Sequence, residues 1–380
     1  MIGSNYMKYI SFYDTVKNRR SMSLAAVNKI NYICSVLNRL GHHVDIISCG
    51  MVANENFQSS TEKLHEDTDV HYFKTRKQSN RKIIRIYNYI MQNLILFFYL
   101  LKNAKKNETI FVYHSLGLMR CVYLAKKIKR FKMILEVEEF YNDVKLRSKY
   151  SKKMEEKFIV CADKYIFPTI LLNEKFNTDN KPYTIIHGTY QVEENRNISF
   201  NDNKIHVVYA GTFDFIKGGA YVAVSSAEYL DSRYHLHILG FGNDVDKKNI
   251  LSLIDEVSNK SSACITFDGL LVGDEYTQFL QKCHIGLSTQ NPNADFNDTS
   301  FPSKILSYMA NGLRVVTVAI PVVKTSDVRN ELYYYNNQSP KDIAEAIMKI
   351  DFNDNYDSRK IIKHLDIKFT GELEKLIGDI

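Results

Sequence analysis

Residues 296–304, FNDTSFPSK, gather an acid, several hydroxyls, a proline and a lysine within nine positions. Ile305, Leu306, Met309 and Ala310 come next at helical spacing, and Gly312 stops that run before Val315 and Val316 begin a buried strand. Pro302 pre-sets the backbone of a first helical turn, and Thr299, Ser300 and Ser303 can cap its free amides. A helix start with small residues around it is an anion site, and the chemistry it suggests is recognition of a phosphate. Taken alone, it reads equally as an ordinary capped helix of an α/β sheet. A second candidate is the strand 207–210 ending in Gly211, followed by the loop 212–216 and by Lys217, Gly218 and Gly219, which open a helix. A lysine just past a strand's carboxyl end lies where open α/β sheets bind ligands, and it would meet a phosphate as a point charge. The plain alternative is a surface lysine beside a flexible glycine pair. A third is HILGFG (237–242), a strand running into a Gly-x-Gly turn at Gly240 and Gly242 that permits close backbone approach. The fuller G-x-G-x-x-G and P-loop patterns are missing.

These pieces need a frame of strands and helices to hold them. A strand at 8–12, a polar loop with Arg19, Arg20 and Ser23, a helix at 24–40, Gly41 and a strand at 44–47 spell a βαβ unit. Further strands are expected at 110–113, 133–135, 164–167 and 183–186, with a basic helix at 116–130. Residues 188–204 turn polar and irregular, and a second series comes after them, with strands at 205–210, 234–239, 263–267, 285–288 and 315–318. Helices are expected between or after them at 219–230, 246–257, 275–282 and 303–311. Two consecutive parallel-sheet domains are the economical α/β architecture. The boundaries drawn are 1–188, a linker at 189–204, a second domain at 205–350 and C-terminal helices at 351–380.

The chain has 380 residues, a net charge of +7 and six scattered cysteines without a C-x-x-C pair. Such spacing predicts reduced thiols and no zinc site, residues 1–13 lack the apolar core of a secretory leader, and a cytoplasmic protein is expected. The basic balance suits an anionic partner. No nucleic-acid-binding pattern accompanies it. One segment departs from the α/β rhythm: the basic stretch 74–85 precedes a mostly apolar run, 86–101, of about 16 residues containing Asn88, Gln92 and Asn93. That run falls short of a bilayer span but could lie in a membrane interface with its basic flanks on anionic headgroups. A helix packed on the first sheet is the other reading. Asp67-Thr68-Asp69 and Asp244-Val245-Asp246 are read as solvated loop or helix-start acids rather than metal ligands.

Read in order, Gly211-x5-Lys217-Gly218, LHILGFG (236–242), ITFDGLLVGDEYTQFLQKCHIGLST (265–289) and FPSKILSYMANGLRVV resemble the donor half of a retaining GT-B glycosyltransferase of family 4. AAVNKINYICSVLNRLGHHVDIIS and LEVEEFYNDV (135–144) resemble its first loop and helix and its catalytic-pocket loop more loosely. The resemblance implies two Rossmann-like domains facing across a cleft, with C-terminal helices crossing back to the first. It implies that Lys217 binds the donor diphosphate, that the Pro302-Ser303-Lys304 helix start with Thr299, Ser300 and Phe301 contributes amides and hydroxyls, and that Gly211, Thr212, Gly240 and Gly242 border the nucleotide. The family's Glu-x7-Glu pair falls on Thr299 and Ser307, its arginine after the strand glycine on Thr212, its first-loop glycines on Ala25 and Ala26, and its pocket histidine near Glu138. Ribose recognition is therefore assigned to Asp298, Thr299 and Thr212. Glu138 and Glu139 lie just past a strand end and could hydrogen-bond an acceptor hydroxyl or the transferred sugar. Arg19, Arg20, Ser23 and His187 are the remaining acceptor-side candidates, while His187 and His114 read equally as structural.

The resemblance thus implies a hexosyltransferase that moves a sugar from a nucleotide-sugar, UDP by preference, to a saccharide acceptor. Lys217, Glu138 and Asp298 are its candidate catalytic residues, and neither a metal nor another cofactor is expected. The basic, partly apolar first half suggests a lipid-linked acceptor and a peripheral place on the inner face of the plasma membrane, in capsule or O-antigen assembly. A GT-B nucleotide-sugar epimerase, or a catalytically silent relative acting as a binding partner in polysaccharide assembly, are the rival readings.

Overall fold

Short β-branched runs flanked by polar turns form parallel strands buried on both faces, and the helices between them cover those faces. The computed structural model describes residues 6–16, 19–20, 24–53, 55–144, 148–214 and 218–378. The chain forms two units, one of Met1–Thr189 with Lys368–Ile380 and one of Tyr190–Ile367.

The first unit carries β1 (Tyr6–Ser11), α1 (Leu24–Arg39), β2 (His43–Ser48), β3 (Ser60–His65), β4 (Thr68–Tyr72), α2 (Lys82–Asn103) and β5 (Thr109–Tyr113). It continues with α3 (Met119–Lys129), β6 (Lys132–Glu136), α4 (Tyr141–Val144), α5 (Lys149–Val160), β7 (Lys164–Phe167), α6 (Ile170–Phe176) and β8 (Tyr183–Ile185). Its sheet runs β3-β4-β2-β1-β5-β6-β7-β8, parallel except for β3 against β4. The core on one side of it holds Ile10, Val112, Met133, Leu135 and Phe158, with Leu96 and Leu100 of α2.

Three expectations change here. Residues 60–72 form a hairpin that the sequence does not announce, because β3 (STEKLH) is a polar edge strand with little burial. Asp69 consequently sits on β4 rather than in a loop, with its carboxylate 3.2 Å from His43 Nε2. The apolar run expected at 86–101 is part of a 22-residue helix that begins inside the basic stretch. By length and composition this helix is long and apolar enough to cross a membrane. It also buries one i, i+4 row, Asn88, Gln92, Leu96 and Leu100, in the unit. Gln92 donates to the Lys74 carbonyl at 3.0 Å and Asn88 to that of Lys77 at 3.3 Å, so the two amides dock the helix on the preceding basic stretch.

The second unit carries β9 (Ile205–Thr212), α7 (Gly219–Ser226), β10 (Tyr234–Phe241), α8 (Asp244–Ser258), β11 (Cys264–Gly269), α9 (Gly273–Lys282) and β12 (Ile285–Ser288). Then come α10 (Ser303–Ala310), β13 (Arg314–Val318), α11 (Pro321–Lys324), β14 (Leu332–Tyr335), α12 (Pro340–Met348) and α13 (Ser358–Gly378). All six strands are parallel in the order β11-β10-β9-β12-β13-β14. The chain reverses direction of sheet growth after β11, returning to pair β12 with β9, so a topological switch point lies at the carboxyl ends of β9 and β12. A single helix, α13, stands where several were expected. Its start is tied to the second unit by Ser358, which donates to the Met309 and Leu313 carbonyls, and its last turns belong to the first unit. There Phe369 stacks on Tyr32 and Glu372 accepts from Thr184 at 2.7 Å.

Candidate functional site

At the switch point, β9 ends in Gly211 and Thr212 and β10 in Gly240 and Phe241, paired in register. Gly240 has φ +144°, and a Cβ there would strike the Gly211 carbonyl, so only glycine lets the two strand ends lie this close. A Cβ on Gly211 would meet the ammonium and Cε of Lys304 instead. The second residue of α10 thus lays its charge against the end of β9, with Nζ 3.9 Å from the centroid of the Tyr209 ring. Tyr209 in turn donates to the Thr212 carbonyl at 3.3 Å.

Tyr308 fixes α10 in this position. Its hydroxyl accepts from Ala210 N at 2.9 Å and donates to the Leu287 carbonyl at 3.3 Å, which bolts the helix to β9 and β12. The ring lies flat on Gly286, where any side chain would collide with it. The start of α10 has Pro302 at its N-cap, with no side chain capping it. Just before it, Thr299 is buried and its hydroxyl has no hydrogen-bond partner. Such a group costs on the order of 1–3 kcal/mol until something bonds to it. An oxyanion delivered to this helix start would meet backbone amides and the Lys304 ammonium.

The other expected donor residues are distributed around this point. Ser300 is half-buried, Ser303 and Thr212 are exposed, Phe301 is buried, and Asp298 is exposed at the end of a helical turn over Asp295–Asp298. That turn hangs on buried Asn297, which donates to the Asn291 carbonyl at 2.7 Å and accepts from Gln290 at 2.6 Å. Ser307 faces α9, its Oγ 3.4 Å from the Tyr276 hydroxyl. A Cβ on Gly242 would crowd Phe213. Lys217 lies outside the described residues, as does Ser23. Gly218, the residue after Lys217, has φ +65° and caps α7.

In the first unit, Glu138 leaves the end of β6 and pairs with Lys29 of α1 at 2.5 Å. Lys29 Nζ also lies 4.0 Å from Glu136 Oε1, and Tyr9 donates to the other oxygen of Glu136. Glu136 is fully buried. Burial first, then the neighbouring Glu138, push its carboxyl well above the ordinary carboxylate range. Glu136 therefore keeps its proton, and the Lys29 charge serves Glu138, which is about a quarter exposed at 26%. A partly exposed carboxylate held by a buried lysine can accept a hydrogen bond from a hydroxyl. Glu139 is half-buried in the same loop.

The two arginines diverge. Arg19 grips Asp14 through Nε at 2.8 Å and Glu62 at 3.1 Å, and lies over the rings of Phe57 and Tyr72. Arg20 also holds Asp14, at 2.6 Å, but lines a cavity of about 180 Å³ with Phe12, Gly50, Gly117 and α2 residues Tyr89, Gln92 and Leu96. His187 is buried and its Nδ1 sits 2.7 Å from the Pro168 carbonyl, a structural contact. His114 is fully buried, 3.4 Å from Glu155.

Sequence reasoning overlooked Tyr209, Tyr308, Tyr276, Lys29 and Glu136. Tyr209 had a usable signal, an aromatic two residues before the strand-ending glycine. The others act through partners 20 to over 100 residues away, as in Tyr308 with Ala210 or Lys29 with Glu136.

No protein-family model matches the chain, and no curated protein resembles it in sequence. Solved structures do match. Sucrose-phosphate synthase from Thermosynechococcus elongatus superposes with a TM-score of 0.69 at 13% identity, covering 99% of this chain and 100% of that one. The E. coli trehalose-6-phosphate protein bound with UDP-2-fluoro glucose gives 0.67 at 10% identity, covering 98% of each. Anabaena HepE in complex with UDP and glucose gives 0.64 at 9% identity, covering 99% of this chain and 100% of that one. At such identities the likeness is one of architecture, and over its whole length the chain has the GT-B fold.

Proposed function

We propose that the chain is a retaining glycosyltransferase that moves a sugar from a nucleotide-sugar, a UDP-sugar by preference, to a saccharide acceptor. The observation that carries this reading is the strand-end site of the second unit. There the Lys304 ammonium and the start of α10 meet the glycine-bearing end of β9. Two of the similar structures hold UDP or a UDP-sugar analogue, which supports the choice of donor. In the reaction, the bond from the sugar's anomeric carbon to the diphosphate breaks as the acceptor oxygen bonds to that carbon on the same face. The acceptor's proton passes to the departing phosphate oxygen. Positive charge at Lys304, held at the end of β9, and the charge of Lys217 stabilise the diphosphate as its own charge grows. Glu138 accepts a hydrogen bond from a sugar hydroxyl.

A thermal-shift titration with UDP, GDP, ADP and dTDP tests the donor site. A nucleotide at a hundredfold excess over its Kd stabilises the native state by about 2.7 kcal/mol. One diphosphate should raise the melting temperature, and Lys217→Ala should remove the rise. If none of the four does so, the donor site is wrong. Nucleotide binding without turnover on any acceptor would favour the silent-relative reading, which draws support from Thr299 and Ser307 standing where the family has carboxylates.

We further propose a lipid-linked acceptor at the inner face of the plasma membrane, in capsule or O-antigen assembly. Support comes from α2, whose outer side exposes Ile83, Ile86, Ile90, Leu94 and Phe98, beside Leu124 and Ile128 of α3. Lys82, Arg85 and Arg120 border that apolar surface. Apolar residues rimmed by cations suit anionic headgroups. The protein should float with vesicles containing anionic phospholipid and not with neutral ones. The double variant Ile83→Asp/Phe98→Asp should stay in the pellet fraction without loss of stability, because both side chains are mostly exposed. Failure of the wild type to float with anionic vesicles would remove the membrane from this reading and leave the donor site untouched.

A further inference from the structure

The amino-terminal half of the second sheet carries a cluster unrelated to the strand-end site. His235 and His237 stand two apart on β10 and so share one face of the sheet, and His206 of β9 is in register with His235. The possible ligand atoms of the three side chains all lie within 4.8 Å of one another. We propose that His206, His235 and His237 bind a divalent transition-metal ion of the zinc class.

The hydrogen bonds around the rings set the lone pairs. His206 Nδ1 and His237 Nε2 face each other at 2.9 Å. The outer nitrogen of His206 lies 2.7 Å from Asp202, and that of His237 lies 3.1 Å from Asp268. Thr266 gives its single proton to Asp268 at 2.8 Å, so His237 Nδ1 must be the donor toward that pair. With both outer nitrogens donating to carboxylates, both facing nitrogens turn lone pairs toward the same point, as two ligands of one ion do. A metal ion there spreads the two nitrogens slightly and takes His235 as third ligand. His235 Nε2 bonds to Thr266 at 3.1 Å, which leaves its Nδ1 lone pair for the ion.

A carboxylate behind each ligating imidazole is the usual outer layer of a zinc site, because it fixes the tautomer and raises ligand basicity. Three histidines with one position left for water or a carboxylate form a common zinc donor set. Phe200 stacks on His206 at 4.1 Å and His237 at 5.0 Å, so it covers ring faces rather than the in-plane directions along which nitrogens coordinate. His206 lies five residues before Gly211 along β9. At 3.3 Å per residue that is about 16 Å from the strand end, so the ion ties β9 to β10 and takes no part in sugar transfer.

The test uses the whole chain, stripped with a chelator and titrated with ZnCl2 by calorimetry and with CoCl2 by visible absorption. One zinc per chain should bind and raise the melting temperature, and cobalt should give the strong visible bands of a four- or five-coordinate site. His235→Gln, at a half-exposed position, should fold with the wild-type melting temperature in chelator yet lose the bands. Asp268→Asn should weaken zinc about tenfold or more. Absence of stoichiometric zinc binding, or bands that survive in His235→Gln, would overturn the assignment. So would bands that vanish instead in His43→Gln, since His43, Asp45 and Asp69 form the other such cluster among the described residues.

Discussion

Lys304→Ala is expected to abolish the melting-temperature rise given by the nucleoside diphosphate and to lower transfer about a hundredfold. Removing one preorganised donor to a developing anion costs on the order of 3 kcal/mol in the transition state. The ammonium is held over the Tyr209 ring at the end of β9, so it is positioned before any ligand arrives. A sharper version leaves the lysine in place. Gly211→Ala puts a methyl group where the Lys304 ammonium and Cε lie, and the flexible side chain can swing away. Stability should therefore change by about 1 kcal/mol or less, while diphosphate binding falls as in Lys304→Ala. Gly240→Ala is the contrast. Its methyl group meets the rigid Gly211 carbonyl at a positive φ, and it should cost on the order of 3 kcal/mol of folding free energy, with or without nucleotide. Denaturant titrations and nucleotide thermal shifts on the three variants separate the outcomes. If Lys304→Ala and Gly211→Ala keep the wild-type shift, α10 does not serve a phosphate.

The order of these parts was legible because each is local. A β-branched strand, a terminal glycine and a proline-led helix each occupy a few consecutive residues, so the parallel sheets of the GT-B fold and the glycine-bearing ends of β9 and β10 could be read off. The hairpin of β3 and β4 was hidden because an exposed edge strand has no apolar pattern to betray it. The 22-residue length of α2 was hidden because its first turn is basic. What makes the site rigid was hidden for another reason. Tyr308 needs Gly286 under its ring and backbone partners on two strands, a complementarity that exists only once the sheet has formed. The same holds for the three histidines, which sit singly among ordinary strand residues and meet only through the register of β9 with β10.

The acidic pair of the first unit yields the second large effect, and its sign is set by the direction of one shift. Glu136 has its folded-state carboxyl raised well above the free value of 4.5, first by burial and then by Glu138. A folded state that holds a proton the unfolded state releases is most favoured below that free value and loses stability as pH rises above it. The loss can reach about 1.4 kcal/mol per pH unit until the folded-state group itself ionises. Glu136→Gln keeps an acceptor for Tyr9 and a donor for Glu138 but cannot ionise, so its stability profile should be flatter than that of the wild type as pH rises above about 5. Lys29→Met does the reverse. It leaves Glu138 without its cation beside a buried neighbour, and should cost about 2–4 kcal/mol near neutral pH. Urea unfolding midpoints across that range measure both, and parallel profiles for wild type and Glu136→Gln would show that Glu136 is not the proton holder. Transfer assays complete the argument. Glu136→Gln should keep activity at neutral pH because it preserves the neutral partner, whereas Glu138→Gln removes the carboxylate that Lys29 holds at 2.5 Å and should lose it.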